Sequence, residues 1–416
     1  MFPAPSPPEI APLRHAVPHR VWRRLPPVWR RRALARVGSW LAPHPAALDG
    51  SAASGLVIAG EMTRASGLGE GARLMAEAAR GLGLPVWTCD IPPLEGAAVE
   101  CEPAAGADGP PPPGVPLVLH VNAPMLPLAL LRLGRTLTRR RPVIGYWAWE
   151  LQAIPPEWRP AAACVNQAWV PSRFTAAALE PLLPGRVRVV PPPLAVVPPV
   201  PSALDRAAFG LPRDAVVVLV SFNLASSFAR KHPFAALAAF HAAFGDRADR
   251  ILVLKVSHAD HAPADFARLA QWATRPNIRL ETRTLPPADC HALTVCADIV
   301  LSLHRAEGFG LVAAEAMLLG KPVIATGWSG NTDYMHAGNA VPIGFRLIPA
   351  HDDRAVYRGE WAEPDVAEAA ERLRALADDP ALRQDLGRRA RASALAQLDA
   401  QPLAAALRGL GIEVPS

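Results

Sequence analysis

Short apolar runs separated by amphipathic stretches occur in two series along the chain. In the first half they fall at residues 55–60, 85–90, 116–122, 142–149 and 164–171. Runs of this length, apolar almost without interruption, fit strands buried on both faces, and their alternation with helical stretches predicts a parallel sheet. A second series opens with AVVVLVSFN (215–223), continues through ILVLKVS (251–257), and recurs at 278–284, 298–303, 322–326 and 338–343. Between the two series lies PPPLAVVPPVP (191–201), a stiff, extended connector. The pattern therefore predicts two doubly wound α/β domains, 51–196 and 197–400, after an N-terminal tail of residues 1–50. Residues 401–416 form a C-terminal tail to which the pattern assigns no role.

Helical periodicity fills the gaps. An alanine-rich helix follows the first strand to about Gly81, and Phe234, Leu237, Phe240 and Phe244 form the buried stripe of another. Residues 103–114 (PAAGADGPPPPG) read as a surface loop, and GEWAEPD (359–365) as a helix entry with Pro364 at an early position. A membrane span at 114–131 is excluded, because His120, Asn122, Pro124 and Pro127 interrupt it.

The most informative stretch is HRAEGFGLVAAE (304–315), between the strand at 298–303 and a helix ending near Gly320. Glycines at a strand-to-helix turn let a ligand approach the free helix amides, which favour an anion. Glu307 stands at the lip of that turn and Glu315 on the helix, so sugar hydroxyls could be accepted beside bound phosphate. A plain helix-start carboxylate and a solvated Glu315 are the alternative. A second glycine turn (Ser66 to Gly71, with Gly67 and Gly69) follows the first strand, and a third, Ser329-Gly330-Asn331, follows the strand at 322–326. His120, Asn122 and Glu150 lie at strand C-terminal ends, where doubly wound sheets place ligands. Arg230-Lys231 and Lys255 bring cations to the matching edge of the second domain.

Charge and cysteine content narrow the class. Residues 1–50 carry eight arginines against Glu9 and Asp49, which accounts for the whole net charge of +6. The body is balanced, which argues against a nucleic-acid partner. Lys231, Lys255 and Lys321 are the only lysines in the chain. The five cysteines include no CxxC pair, and they predict neither a zinc site nor a disulfide framework, in keeping with a reducing cytoplasm. No D-x-D is present and His258 with His261 makes only half a metal site, so no metal is expected. In the tail, Trp29, Ala33, Val37 and Trp40 recur at helical spacing with Arg31, Arg32 and Arg36 opposite. Residues 20–41 thus read as an interfacial helix on anionic lipid, or as a helix packed on the protein or a basic leader.

EGFGLVAAE with AMLLGKPVIATGWSGNTDYM (316–335) resembles the retaining glycosyltransferases of family 4, through their Glu-x7-Glu signature at Glu307 and Glu315. HRAEGFGL with SGN-x-D is similar to a bacterial branch used in surface-polysaccharide assembly, as are GLGEGARL, HVN, WAWE, WVPS and SSFARKHP. The resemblance spans roughly residues 55–395. It implies the GT-B fold, two Rossmann-like domains facing a cleft, and transfer of a hexose such as mannose or glucose. The donor would be a nucleotide-diphosphate sugar and the acceptor a glycan or lipid-linked sugar, with no cofactor beyond the donor itself. Lys231 then maps onto the diphosphate-binding lysine. Arg230 or Lys255 supplies the second charge, since Phe222-Asn223 stands where many relatives carry arginine. Glu307 would orient the donor sugar and Glu315 the ribose, with Gly308, Phe309, Gly310, Leu311, Ser329, Gly330 and Asn331 around the donor. His120 would touch donor sugar or acceptor, or else be a satisfied strand-end histidine. The tryptophans are expected in the core or cleft wall. Competing readings are a sugar-nucleotide epimerase or phosphorylase on the same fold, and a scaffold that has lost its chemistry.

Overall fold

The computed structural model describes residue 24 and residues 27–48, 54–64, 66–91, 99, 101–103, 107, 109–352 and 356–415. The parts of the expected lipid-binding segment at 20–23 and 25–26, and residues 104–106 and 108 of the expected loop at 103–114, lie outside them. The first domain contains α1 (Pro27–Leu41), β1 (Leu56–Gly60), α2 (Gly67–Gly81), β2 (Val86–Asp90), β3 (Cys101–Pro103) and β4 (Leu117–His120). It continues with α3 (Leu126–Thr138), β5 (Val143–Tyr146), a 3-10 segment (Pro156–Cys164), β6 (Gln167–Val170), α4 (Arg173–Leu179) and β7 (Val187–Val189). Its sheet has the order β3-β2-β1-β4-β5-β6-β7, parallel apart from the β2–β3 pair.

The second domain contains β8 (Val216–Asn223), α5 (Phe228–Lys231), α6 (Pro233–Phe244), β9 (Arg250–Ser257), α7 (Pro263–Trp272), β10 (Ile278–Glu281) and α8 (Pro287–Cys296). Then follow β11 (Ile299–Ser302), α9 (Leu311–Leu318), β12 (Val323–Thr326) and β13 (Val341–Ile343). The order β10-β9-β8-β11-β12-β13 repeats the logic of the first sheet. In both, chain order reverses beside the first strand, between β1 and β4 and between β8 and β11. Such switch points leave a crevice beyond the strand C-termini. Each sheet is covered on both faces, as its unbroken apolar strands require.

Three elements depart from the sequence reading, and a fourth, α1, settles between its alternatives. The segment read as a helix entry is β15 (Glu360–Pro364), paired antiparallel with β14 (Phe345–Pro349), and the helix begins only after the Asp365 cap as α10 (Val366–Asp378). Ala362 N–H donates to the Arg305 carbonyl at 2.9 Å and Trp361 is buried in the first domain's core. A non-local partner thus overrides the local proline signal. Next, α11 (Pro380–Gln397) leads into α12 (Gln401–Arg408), so the C-terminal stretch is not a bare tail. Leu403, Leu407, Leu410 and Ile412 cross back to pack with Met75 and Val86 of the first domain.

Cys89 and Cys101 face each other across β2 and β3 and form a disulfide, which corrects the expectation of none. The antiparallel return that brings them together is three residues long, too short to read from periodicity. Cys164, Cys290 and Cys296 remain free. Lastly, α1 rests on the protein through small residues, with Ala35, Gly38 and Ala42 buried, while Trp29, Val37 and Trp40 point outward. Ser39 Oγ donates to the Pro160 carbonyl at 2.6 Å. The packed-helix reading and the exposed aromatic stripe therefore both hold. Among the described residues no helix is long and apolar enough to cross a membrane.

Candidate active site

The two crevices open onto one cavity of about 570 Å³, lined by Glu61, Gly67, Asn122 and Glu150 of the first domain and by Arg230, Lys231 and Glu307 of the second. Gly308, Phe309, Gly310 and Leu311 complete its wall. At its floor the Glu307 carboxylate accepts from Lys231 Nζ at 2.5 Å and lies 3.1 Å from Arg230 Nη1. Burial alone would raise the Glu307 carboxyl. The two cations outweigh it and hold the group well below the usual carboxylate range. Burial lowers the Lys231 ammonium against the pull of Glu307. It would weaken the Arg230 cation too, but Tyr357, Glu150 and Glu307 keep that charge firmly in place.

Short-range sequence explains how the cations arrive. Ser227 caps α5 with its side chain on the Arg230 amide, and Arg230 Nη1 donates to the Ala306 carbonyl at 2.6 Å. Arg305 N–H in turn donates to the Arg230 carbonyl at 2.8 Å, so α5 and the 304–310 turn are clamped together. The first domain adds Glu150, whose Oε1 stands 3.6 Å from Arg230 and whose Oε2 accepts from Tyr357 at 3.3 Å. Tyr357 was not visible as a site residue: it lies in the β14–β15 loop and stacks on Trp149 at 5.4 Å.

The glycine turn is held from two segments, the turn at 329–334 and the start of α4. Ser329 Oγ accepts from Glu307 N–H at 2.7 Å, Gly330 N–H donates to the Glu307 carbonyl at 2.9 Å, and Tyr334 Oη donates to the Gly310 carbonyl at 2.7 Å. From the first domain, Ser172 Oγ donates to the Gly308 carbonyl at 2.7 Å. Asn331 bonds His304 and the Thr326 carbonyl. Ser329, Gly330 and Asn331 thus form a buried buttress behind the turn and are not among the residues that line the cavity, where the sequence reading expects donor contacts. Gly310 has φ +93°, and a Cβ there would stand 3.0 Å from Tyr334 Oη, so only glycine fits. Ser172 and Tyr334 were missed because nothing local marks a side chain that supports a distant carbonyl.

Three further expectations are revised. Lys255 is buried and donates to the Arg283 carbonyl at 2.9 Å and to Ser257 Oγ at 3.3 Å, so Arg230 is the second cation beside Lys231. Gly69 lies against the Glu61 and Arg64 carbonyls and takes the Ser66 cap, while Gly67 faces Leu311 across the cleft. His120 is 1% exposed, stacks on Tyr146 at 4.3 Å and has Nε2 3.4 Å from Met75 Sδ. Burial pushes its pKa down to about 3, which favours the neutral ring, and the side chain lines a cavity beside Asn122. Asn122 keeps its place on the cleft, with Oδ1 accepting from the Ala148 amide at 2.9 Å. As expected, Trp147, Trp149 and Trp169 are buried in the core.

Glu315 is half-buried on α9, and its pKa is pushed up to about 8 by burial and then by the charge of Glu70. Since the folded pKa lies above the unfolded one, the neutral carboxyl's stabilisation is complete below about pH 4.5 and is lost as pH rises through about 8. In thermal unfolding, Glu315→Gln is expected to gain on the wild type progressively between those limits and to run parallel above them. A difference independent of pH would contradict the shift.

Comparison with known proteins identifies the family and the fold. A family model described as the family 4 glycosyltransferase in conflict systems matches residues 183–398, a little over half of the chain. A D-inositol 3-phosphate glycosyltransferase of Catenulispora acidiphila is 33% identical over 180 residues, 42% of this chain and 39% of that enzyme. The chain thus matches about two fifths of the length of that curated relative. Among solved structures, sucrose-phosphate synthase of Thermosynechococcus elongatus superposes with a TM-score of 0.59 at 17% identity, over 85% of this chain and 98% of that one. Anabaena HepE, solved in complex with UDP-glucose, gives 0.57 at 16% identity, over 86% and 100%. The fold is GT-B, with two Rossmann-like domains about a cleft, and the chain belongs to the family 4 glycosyltransferases of conflict systems.

Proposed function

We propose that the chain transfers a hexose, mannose or glucose, from a nucleotide-diphosphate sugar to a glycan or lipid-linked acceptor, with retention of configuration and without a metal. The observation that carries this reading is the Glu307–Lys231–Arg230 cluster at the floor of the shared cleft. Lys231 and Arg230 bind the diphosphate and stabilise the charge that grows on its leaving oxygen, helped by the Gly308–Gly310 amides. To do so they exchange Glu307 for phosphate. The freed carboxylate orients the donor-sugar hydroxyls, and Glu315 holds the ribose diol. The C1–phosphate oxygen bond breaks as the acceptor oxygen attacks the same face, and the acceptor proton passes to the departing phosphate oxygen. While Lys231 and Arg230 hold it, Glu307 is ionised, and we give it no part as a general acid.

The UDP-glucose held by the Anabaena protein and the transfer named for the inositol-phosphate relatives support this reading. The setting we favour is bacterial cell-surface polysaccharide assembly, in the cytoplasm, with residues 20–41 against the inner face of the membrane. The description of the matched family favours a second setting for the same chemistry, a conflict system. Incubation with uridine, guanosine or adenosine diphospho-sugars and a glycan acceptor is expected to give a product with the donor's anomeric configuration, in the presence of chelator. An inverted product, or activity lost to chelator and restored by magnesium, would overturn the mechanism.

A further inference from the structure

Helices α1 and α3 form one continuous surface. The two helices pack closely, since a Cβ on Gly38 would stand 3.4 Å from Pro127 and 3.6 Å from Leu128. Trp40 is 81% exposed and Trp29 65%, with Val37, Leu41, Leu34 and, on α3, Leu131 exposed around them. Neither helix contains an aspartate or glutamate. Arg36 is exposed on α1, and Arg135, Arg139 and Arg140 are exposed at the end of α3. Between the helix ends lies a recess of about 440 Å³ lined by Trp40, His44, Arg135, Arg139 and Arg140. Indole rings beside unopposed guanidinium groups match the interface of an anionic bilayer, where rings sit among headgroups and cations meet phosphate. A second copy of the chain fits poorly, because a two-fold contact would set these arginines against their own counterparts.

The same face leads to the cleft. A cavity of about 390 Å³ is lined by Met125 at the start of α3, by Leu128 and Arg132 on it, and by Arg64, Glu61 and Asn122, of which the last two also line the donor cavity. We infer that α1 and α3 together seat the enzyme on an anionic lipid bilayer, with the Trp40–Arg139 recess taking a lipid phosphate and the α3 cavity admitting the acceptor from that surface. This rests on the reading of a membrane-held acceptor, and it moves much of the contact from the N-terminal segment to α3, whose sequence gave no such signal.

The test is sedimentation of the full chain with vesicles of phosphatidylglycerol and phosphatidylcholine, or of phosphatidylcholine alone. Wild type is expected to partition onto the anionic vesicles only, less so as salt rises. Arg135→Gln/Arg139→Gln/Arg140→Gln is expected to lower that partition about fivefold per arginine. Trp29→Ala/Trp40→Ala is expected to weaken it independently, and both variants should keep wild-type binding of a nucleoside diphosphate. Equal partition of the α3 variant and wild type, or no preference for anionic vesicles, would overturn the inference. So would a wild-type dimer in the absence of vesicles that Trp29→Ala/Trp40→Ala abolishes. Vesicle binding by a protein that binds no nucleotide would leave this face intact and refute the transfer reading instead.

Discussion

Glu307→Gln is expected to abolish sugar transfer, by about a hundredfold or more, while nucleoside diphosphate binding persists or strengthens. The loss follows from removing the carboxylate that orients the donor-sugar hydroxyls, a change of about the order measured for removing one polar group that acts on the transition state. The effect on binding has the opposite sign because the carboxylate now occupies the two cations that a diphosphate needs, with Lys231 at 2.5 Å and Arg230 at 3.1 Å. Glutamine fills the same space without competing as an anion. Calorimetric titration and a transfer assay on the same preparation check both halves. Loss of nucleotide binding together with transfer would make Glu307 a structural strut and remove it from the chemistry.

Gly330→Ala is expected to be nearly as damaging, although Gly330 contacts no donor in this account. A Cβ at this position would overlap the Gly308 carbonyl oxygen and crowd the Phe309 amide. Those atoms are backbone, and the same turn is pinned by Ser172, Ser329 and Tyr334, so no side-chain rotation can relieve the clash. We expect a loss of about 3 kcal/mol or more in unfolding free energy, with nucleotide binding lost in whatever protein remains folded. Thermal unfolding and titration measure both. Wild-type stability with intact binding would show that the turn is looser than its hydrogen bonds imply.

The two sheets were legible because parallel strands buried on both faces leave unbroken apolar runs, and the prolines at 191–201 marked the join. Elements held by distant partners were not. β15 carries a proline signal for a helix start, yet its pairing with β14 and with Arg305 decides its form. Cys89 and Cys101 meet only because a three-residue strand turns back along β2. Within the site, Glu307, Lys231 and the 308–311 turn stood in one contiguous motif and its companion, and they do line the cleft. Lys255 and Arg230 could not be ranked, since both lie near the same sheet edge and only the fold shows Lys255 turned toward the Arg283 carbonyl. A glycine turn reads alike whether it faces a ligand or another turn, so Ser329-Gly330-Asn331 resembles a donor contact in sequence while its backbone packs against the 307–309 turn. Glu150 was legible as a cleft residue from its place after a strand, but its bond with Tyr357 joins residues that lie far apart in sequence.

The central claim is that this cleft binds a nucleoside diphosphate through Lys231 and Arg230. The most direct measurement is calorimetric titration of uridine, guanosine and adenosine diphosphates into wild type and Lys231→Ala. The account predicts saturable binding of at least one of them to wild type, weakened in the variant by about 1.5–3 kcal/mol, the worth of a charged hydrogen bond. No binding of any of the three to wild type, or equal affinity in the two proteins, would contradict it.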